Sequence, residues 1–167
     1  MRRQLLRNGT IVVDDWEHLE DDSNPLAAAC AESHRLIVPF DRWATEREAL
    51  AGFTGLLGVL LQPGHRVEEL APDLARFGLV SIEFPGPSEG RGYTQARLLR
   101  ERYAFKGELR ASGYVRRDQL FFMARCGFNA FELPEHELKD AGAAFKSFTA
   151  TYQLTNDMGL PGKLLHR

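Results

Sequence analysis

Little in this chain offers ready-made chemistry. Only two of its 167 residues are cysteines, Cys30 and Cys126. They lie far apart and form no CxxC pair, so they read as free thiols in a reducing compartment. Cys126 also sits near the end of a helical segment, where the helix dipole disfavours a thiolate nucleophile. The five histidines (His18, His34, His65, His136 and His166) are dispersed. None has the spacing of a helical zinc site, and no metal is expected. A complete dinucleotide fingerprint, an iron–sulfur cysteine set and a haem motif are all missing, so no cofactor is expected either. No serine stands in a nucleophile-elbow context. No apolar run approaches the roughly 20 residues that a membrane helix requires. The opening MRRQLLRNGT has Arg2 and Arg3 but no apolar stretch behind them. A secretory signal is therefore not expected, and a cytoplasmic location is.

What is present is the composition of an ordinary globular domain, 44% apolar and 26% charged. Its length fits one domain over residues 1–167. The net charge of −2 conceals an asymmetry. Residues 86–126 hold nine basic groups against four acidic ones, leaving that segment at +5 and the remainder at −7. Local positive charge favours a small anion or an acidic protein surface. Nucleic acid is not expected, since the overall balance is acidic and no nucleic-acid motif is visible.

Residues 1–34 read as a β-hairpin turning at Asn8-Gly9, followed by an acidic linker from Asp14 to Asp22 taken as a solvated loop. From residue 35 short apolar strands alternate with amphipathic segments. The strands are 35–40, 56–62, 79–85, 107–113 and 129–133, nearly continuous in apolar residues, as strands covered on both faces are. The helices are TEREALAGF, VEELAPDLARF, TQARLLRERY, RRDQLFFMARC and HELKDAGAAFKSF. This pattern predicts an α/β fold of five βα units over 35–148 with a mainly parallel sheet. The sheet is either an open three-layer one or half-barrel-like, since an eightfold barrel requires about 250 residues. Residues 149–167 read as an irregular tail.

Ligands of parallel α/β folds collect beyond the carboxyl ends of strands. Glu83 and Arg110 interrupt apolar strands there and, with Glu132, form a candidate polar cluster, either a structural ion network or a ligand-orienting one. The loop Gly90-Arg91-Gly92, followed by Tyr93, Thr94 and Arg97, is a candidate anion site. Its glycines allow backbone approach, and Thr94 is placed to cap a helix. The alternative is a tight turn before a solvated helix. Gln95 stands where a third GxGxxG glycine would be, and no GK[ST] follows, so a nucleotide signature is not met.

The stretch GRGYTQARLLRERYAFKGELRASGYVRRDQLFFMARCGFNAFEL resembles the core of bacterial domain-of-unknown-function family 934. The hairpin, Val13-Asp14-Asp15-Trp16 and Ile82-Glu83-Phe84-Pro85 fit it as well. Asn129 stands where an aspartate is common. The resemblance implies a role in assimilatory sulfite reduction, because members are commonly encoded beside sulfite or nitrite reductase and labelled oxidoreductases. That link is associational, and no catalytic residues come with it. The expectation is an accessory or anion-binding protein whose partner is sulfite reductase or another sulfur-assimilation protein. An enzyme of the same pathway acting at the Glu83/Arg110/GRG edge, and a structural partner without a ligand, are the alternatives. Self-association into a homo-oligomer is compatible with either.

Overall fold

The computed structural model describes residues 3–19 and 26–151. Eight strands form one sheet: β1 (Gln4–Arg7), β2 (Thr10–Val13), β3 (Glu17–His18), β4 (Arg35–Pro39), β5 (Leu56–Leu61), β6 (Phe77–Phe84), β7 (Glu108–Gly113) and β8 (Ala130–Phe131). Their order is β2-β1-β8-β7-β6-β5-β4-β3. Neighbours from β3 to β8 run parallel, whereas β1 pairs antiparallel with both β2 and β8. The sheet is therefore mixed rather than mainly parallel. The N-terminal hairpin joins the sheet beside β8 instead of standing outside it. Its turn is of the anticipated kind, with positive φ at Asn8 (49°) and Gly9 (75°).

Topology decides the curvature. β2 and β3 occupy opposite edges, yet only Asp14, Asp15 and Trp16 join them. Eight flat strands would hold the edges about 34 Å apart at ~4.8 Å per spacing. The chain from Val13 to Glu17 spans at most about 14 Å. The sheet therefore curls into a half-barrel, and the linking segment crosses its concave side. Trp16 packs there with Ile37, Leu79 and Leu60. A methyl group added at Gly58 would approach the Trp16 ring to 3.2 Å, so a small residue on β5 makes room for the indole.

Helices cover the convex face: α1 (Leu26–Glu32), α2 (Phe40–Thr45), α3 (Arg47–Leu50), α4 (Arg91–Arg97), α5 (Leu120–Cys126) and α6 (Glu135–Thr151). Alternation along the strands sends Val59, Val80, Ile82, Leu109, Ala111 and Phe131 into the main core beneath them. Ser81, Glu83, Glu108, Arg110 and Ser112 have the opposite parity and face the concavity. The segment VEELAPDLARF forms 3₁₀ turns at 67–69 and 71–76 instead of an α-helix, with Pro72 at the start of the second turn. The connection from β5 to β6 therefore lacks the expected α-helix. Residues 149–151 continue α6 rather than starting an irregular tail, and 152–167 lie outside the described residues.

Candidate functional site

The concave face is organised around Arg110, in the interior of β7 and 0% exposed. Its guanidinium grips Asp14 with both terminal nitrogens, Nη1 to Oδ2 at 2.9 Å and Nη2 to Oδ1 at 3.0 Å. It also donates to Glu108 Oε1 (2.9 Å) and Glu132 Oε1 (3.1 Å). The outer oxygens of those two carboxylates meet further arginines, Glu132 with Arg3 at 3.2 Å and Glu108 with Arg7 at 2.8 Å. Three carboxylates thus face three guanidiniums. Burial works to lower the Arg110 pKa, but Glu108, Asp14 and Glu132 outweigh it and hold the group above its ordinary value. A buried charge persists when it is paired and hydrogen-bonded, and both conditions are met here.

This corrects the sequence reading at three points. Asp14 is not part of a solvated acidic linker; it is buried against Arg110, while Asp15 pairs with Arg35 at 2.7 Å and Glu17-His18 forms a strand. Glu83 is not in the Arg110 network. It lies at the end of β6 and accepts a hydrogen bond from Gln62 Nε2 at 3.0 Å. Arg110 lies within β7 rather than at its carboxyl end. Of the expected trio, only Arg110 and Glu132 come together. Glu108, two positions before Arg110 and hence on the same strand face, was readable from the sequence. Asp14 was not, because 96 residues separate it from its partner.

His18 reaches the same network across the curl. Its Nε2 lies 3.7 Å from Glu132 Oε1 and 4.0 Å from Asp14 Oδ2, beyond hydrogen-bonding distance of either. Burial, with Arg110 and Arg3 nearby, draws its pKa below the ordinary 6.5 despite the two carboxylates, which favours the neutral ring. Among the described residues, Asp14, His18 and Glu132 form a group of candidate metal donors, with ligand atoms within 4.8 Å of one another. Both carboxylates already serve Arg110. Beside them opens a cleft of about 570 Å³ lined by Arg3, Gly113, Glu132, Leu133, Pro134 and Leu138 among others.

The glycine-arginine-glycine loop holds an anion of its own. Glu89 accepts from the Arg91 backbone N–H, from Nε and from Nη2, each at 2.9 Å. Those bonds, the side-chain ones foremost, pull the Glu89 pKa to about 2. Gly90 occupies the N-cap position of α4, and Thr94 is an exposed residue within the helix, not its cap. Gly92 is required by packing, since a Cβ there would come within 2.6 Å of the Phe84 ring. Tyr93 lies between Phe84 (5.1 Å between ring centroids) and Phe122 (4.9 Å).

Arg97 is exposed, but Arg100 does not share its face. Residues 98–102 form a π-helical turn, and the extra residue per turn rotates Arg100 inward. There it donates to the carbonyls of Gly127, Phe105 and Gly107. Burial draws its pKa down to about 10. Cys126 is buried at 0% exposure, in keeping with a structural thiol.

A family profile described as bacterial protein of unknown function (DUF934) matches residues 58–162, more than half of the chain. A search of curated proteins returns no match.

Proposed function

The chain belongs to the bacterial DUF934 family, and from that premise we propose that it is an accessory protein of assimilatory sulfite reduction. It acts in the cytoplasm by docking an acidic surface of its partner, the sulfite reductase, rather than by transferring electrons itself. Support for the pathway is the gene neighbourhood that the family resemblance brings. Support for the mode of action comes from one surface.

Phe122 on α5 is 50% exposed and packs at a tilt against Tyr93 of α4. Arg97 and Arg125 are exposed on the same two helices. Aromatic and arginine side chains dominate the energetic centres of protein interfaces. A cationic setting selects acidic partners and speeds encounter. Phe122, exposed against the part-buried Tyr93 on the same two helices as these arginines, is the observation that carries the reading. A small oxyanion at the GRG loop takes second place, because Glu89 already fills the Arg91 fork.

The test is a binding titration of purified assimilatory sulfite reductase against wild type, Phe122→Asp and Arg97→Glu. The wild-type affinity should fall with salt, and each variant should weaken it by about tenfold or more. Both variants should keep the wild-type melting temperature. Equal affinities for the three proteins, or no binding by wild type, would overturn the proposal.

A further inference from the structure

Five large apolar side chains are exposed among the described residues: Ile11, Val13, Leu56, Tyr114 and Phe122. Only the last two are aromatic, and the fold brings both to one place. The Tyr114 backbone N–H donates to the Phe84 carbonyl at 2.6 Å. The Phe84 ring meets Tyr93, and Tyr93 meets Phe122. Arg116, whose guanidinium lies 6.0 Å from the Tyr114 ring centroid, precedes the turn at 117–119 that leads into α5 and so to Phe122. Tyr114 therefore stands where the α4–α5 face meets the carboxyl ends of β6 and β7.

Rigidity sets this tyrosine apart from an ordinary exposed side chain. Gly113 before it has a φ of +80°, and a Cβ there would come within 2.5 Å of the Phe84 carbonyl oxygen. Val115 after it is buried, and its N–H donates to the Gly113 carbonyl at 3.0 Å. Both flanks of Tyr114 are thus fixed against β6 and the core. A large side chain already held in place gives up little freedom on binding, as an interface anchor requires. Its phenol can also hydrogen-bond once the ring is covered.

Charge separates the two aromatic anchors. Arg97 and Arg125 are exposed on the helices that hold Tyr93 and Phe122. Beside Tyr114, by contrast, Arg116 pairs with Glu137 at 2.9 Å and Arg117 with Asp140 at 3.7 Å, both acids on α6. That end of the surface is balanced. We infer that Tyr114 is a second anchor of the docking face, covered by an uncharged, apolar part of the partner whose carboxylates lie over Arg97 and Arg125. This anchor rests on the docking reading above and gives the partner surface a polarity, acidic at one end and apolar at the other.

The test titrates purified assimilatory sulfite reductase against wild type, Tyr114→Ala, Tyr114→Lys and Arg97→Glu at several salt concentrations. Tyr114→Ala should weaken binding by about tenfold or more and leave its salt dependence as in wild type. Arg97→Glu should weaken binding and flatten the salt dependence, because a charge contact is lost. Tyr114→Lys should also weaken binding, since an apolar cover would meet a charge. Tyr114 is exposed, so both of its variants should keep the wild-type melting temperature. Wild-type affinity in Tyr114→Ala, alongside weak binding by Phe122→Asp, would overturn this inference and leave the docking reading standing. Tighter binding by Tyr114→Lys would overturn it too, because partner carboxylates would then lie over the tyrosine. No binding by wild type would overturn both.

Discussion

Replacing Arg110 by methionine keeps much of the side-chain length while removing the charge that three carboxylates share. Asp14 suffers most, because its side chain is 3% exposed and, among the described residues, no other guanidinium lies within bonding distance. Glu132 and Glu108 retain Arg3 and Arg7 and are each 13% exposed. Breaking one side of a buried ion pair typically costs about 3–5 kcal/mol, and the surviving pairs place this variant near the lower figure. Against a usual total of roughly 5–15 kcal/mol, such a loss is readily measured. Urea unfolding followed by tryptophan fluorescence suits the question, since Trp16 packs on the concave face. Adding Asp14→Leu should restore most of the loss at neutral pH, because both buried charges are then gone. A loss below about 1 kcal/mol, within the range of ordinary surface changes and small repacking, would refute the reasoning. So would a double variant no more stable than Arg110→Met alone.

Further outcomes follow from the same structure. Gly127→Ala should destabilise by more than the ~1 kcal/mol of a simple glycine cap. Its φ is +113°, and the new Cβ would lie 2.4 Å from Arg100 Cγ; thermal unfolding checks it. His18, its pKa lowered by burial, should titrate below 6.5 in a histidine NMR series. A depressed folded-state value contributes stability above the unfolded pKa that is lost as pH falls through the folded one. Wild type should therefore lose more stability than His18→Asn on acidification below about pH 6.5. Glu89 should remain charged down to about pH 2, and Arg91→Ala should return it toward the ordinary 4.5, as carboxyl chemical shifts would show. That variant should leave the melting temperature nearly unchanged, since the Arg91 side chain is largely exposed.

Much of the fold could be read from local pattern. Strands β4 to β8 lie where near-continuous apolar runs placed them, and Asn8-Gly9 turns the hairpin because its two residues accept positive φ. Local pattern could not reveal where the hairpin docks, and that docking makes the sheet mixed. It also left the flat and curled alternatives open until the three-residue link between opposite edges excluded the flat one. The site was half legible. A charged residue inside an apolar strand must find a partner, which correctly marked Arg110 and Glu132. The same argument failed for Glu83, which sits near the strand end and is only part-buried beside Gln62. Asp14 hid in an acidic run whose other members gave no reason to single it out. Arg100 turns inward although it follows Arg97 by only three positions, which an α-helical wheel cannot represent because the turn is π-helical.

The claim that the α4–α5 face is the working surface is tested most directly by amide hydrogen exchange of the protein alone and with purified sulfite reductase. The account predicts slower exchange on mixing within residues 91–97 and 120–126, around Tyr93 and Phe122. Strands β7 and β8, which hold Arg110 and its partners, should exchange as before. Protection confined to the cleft beside Glu132, to α1–α3, or found nowhere would contradict it.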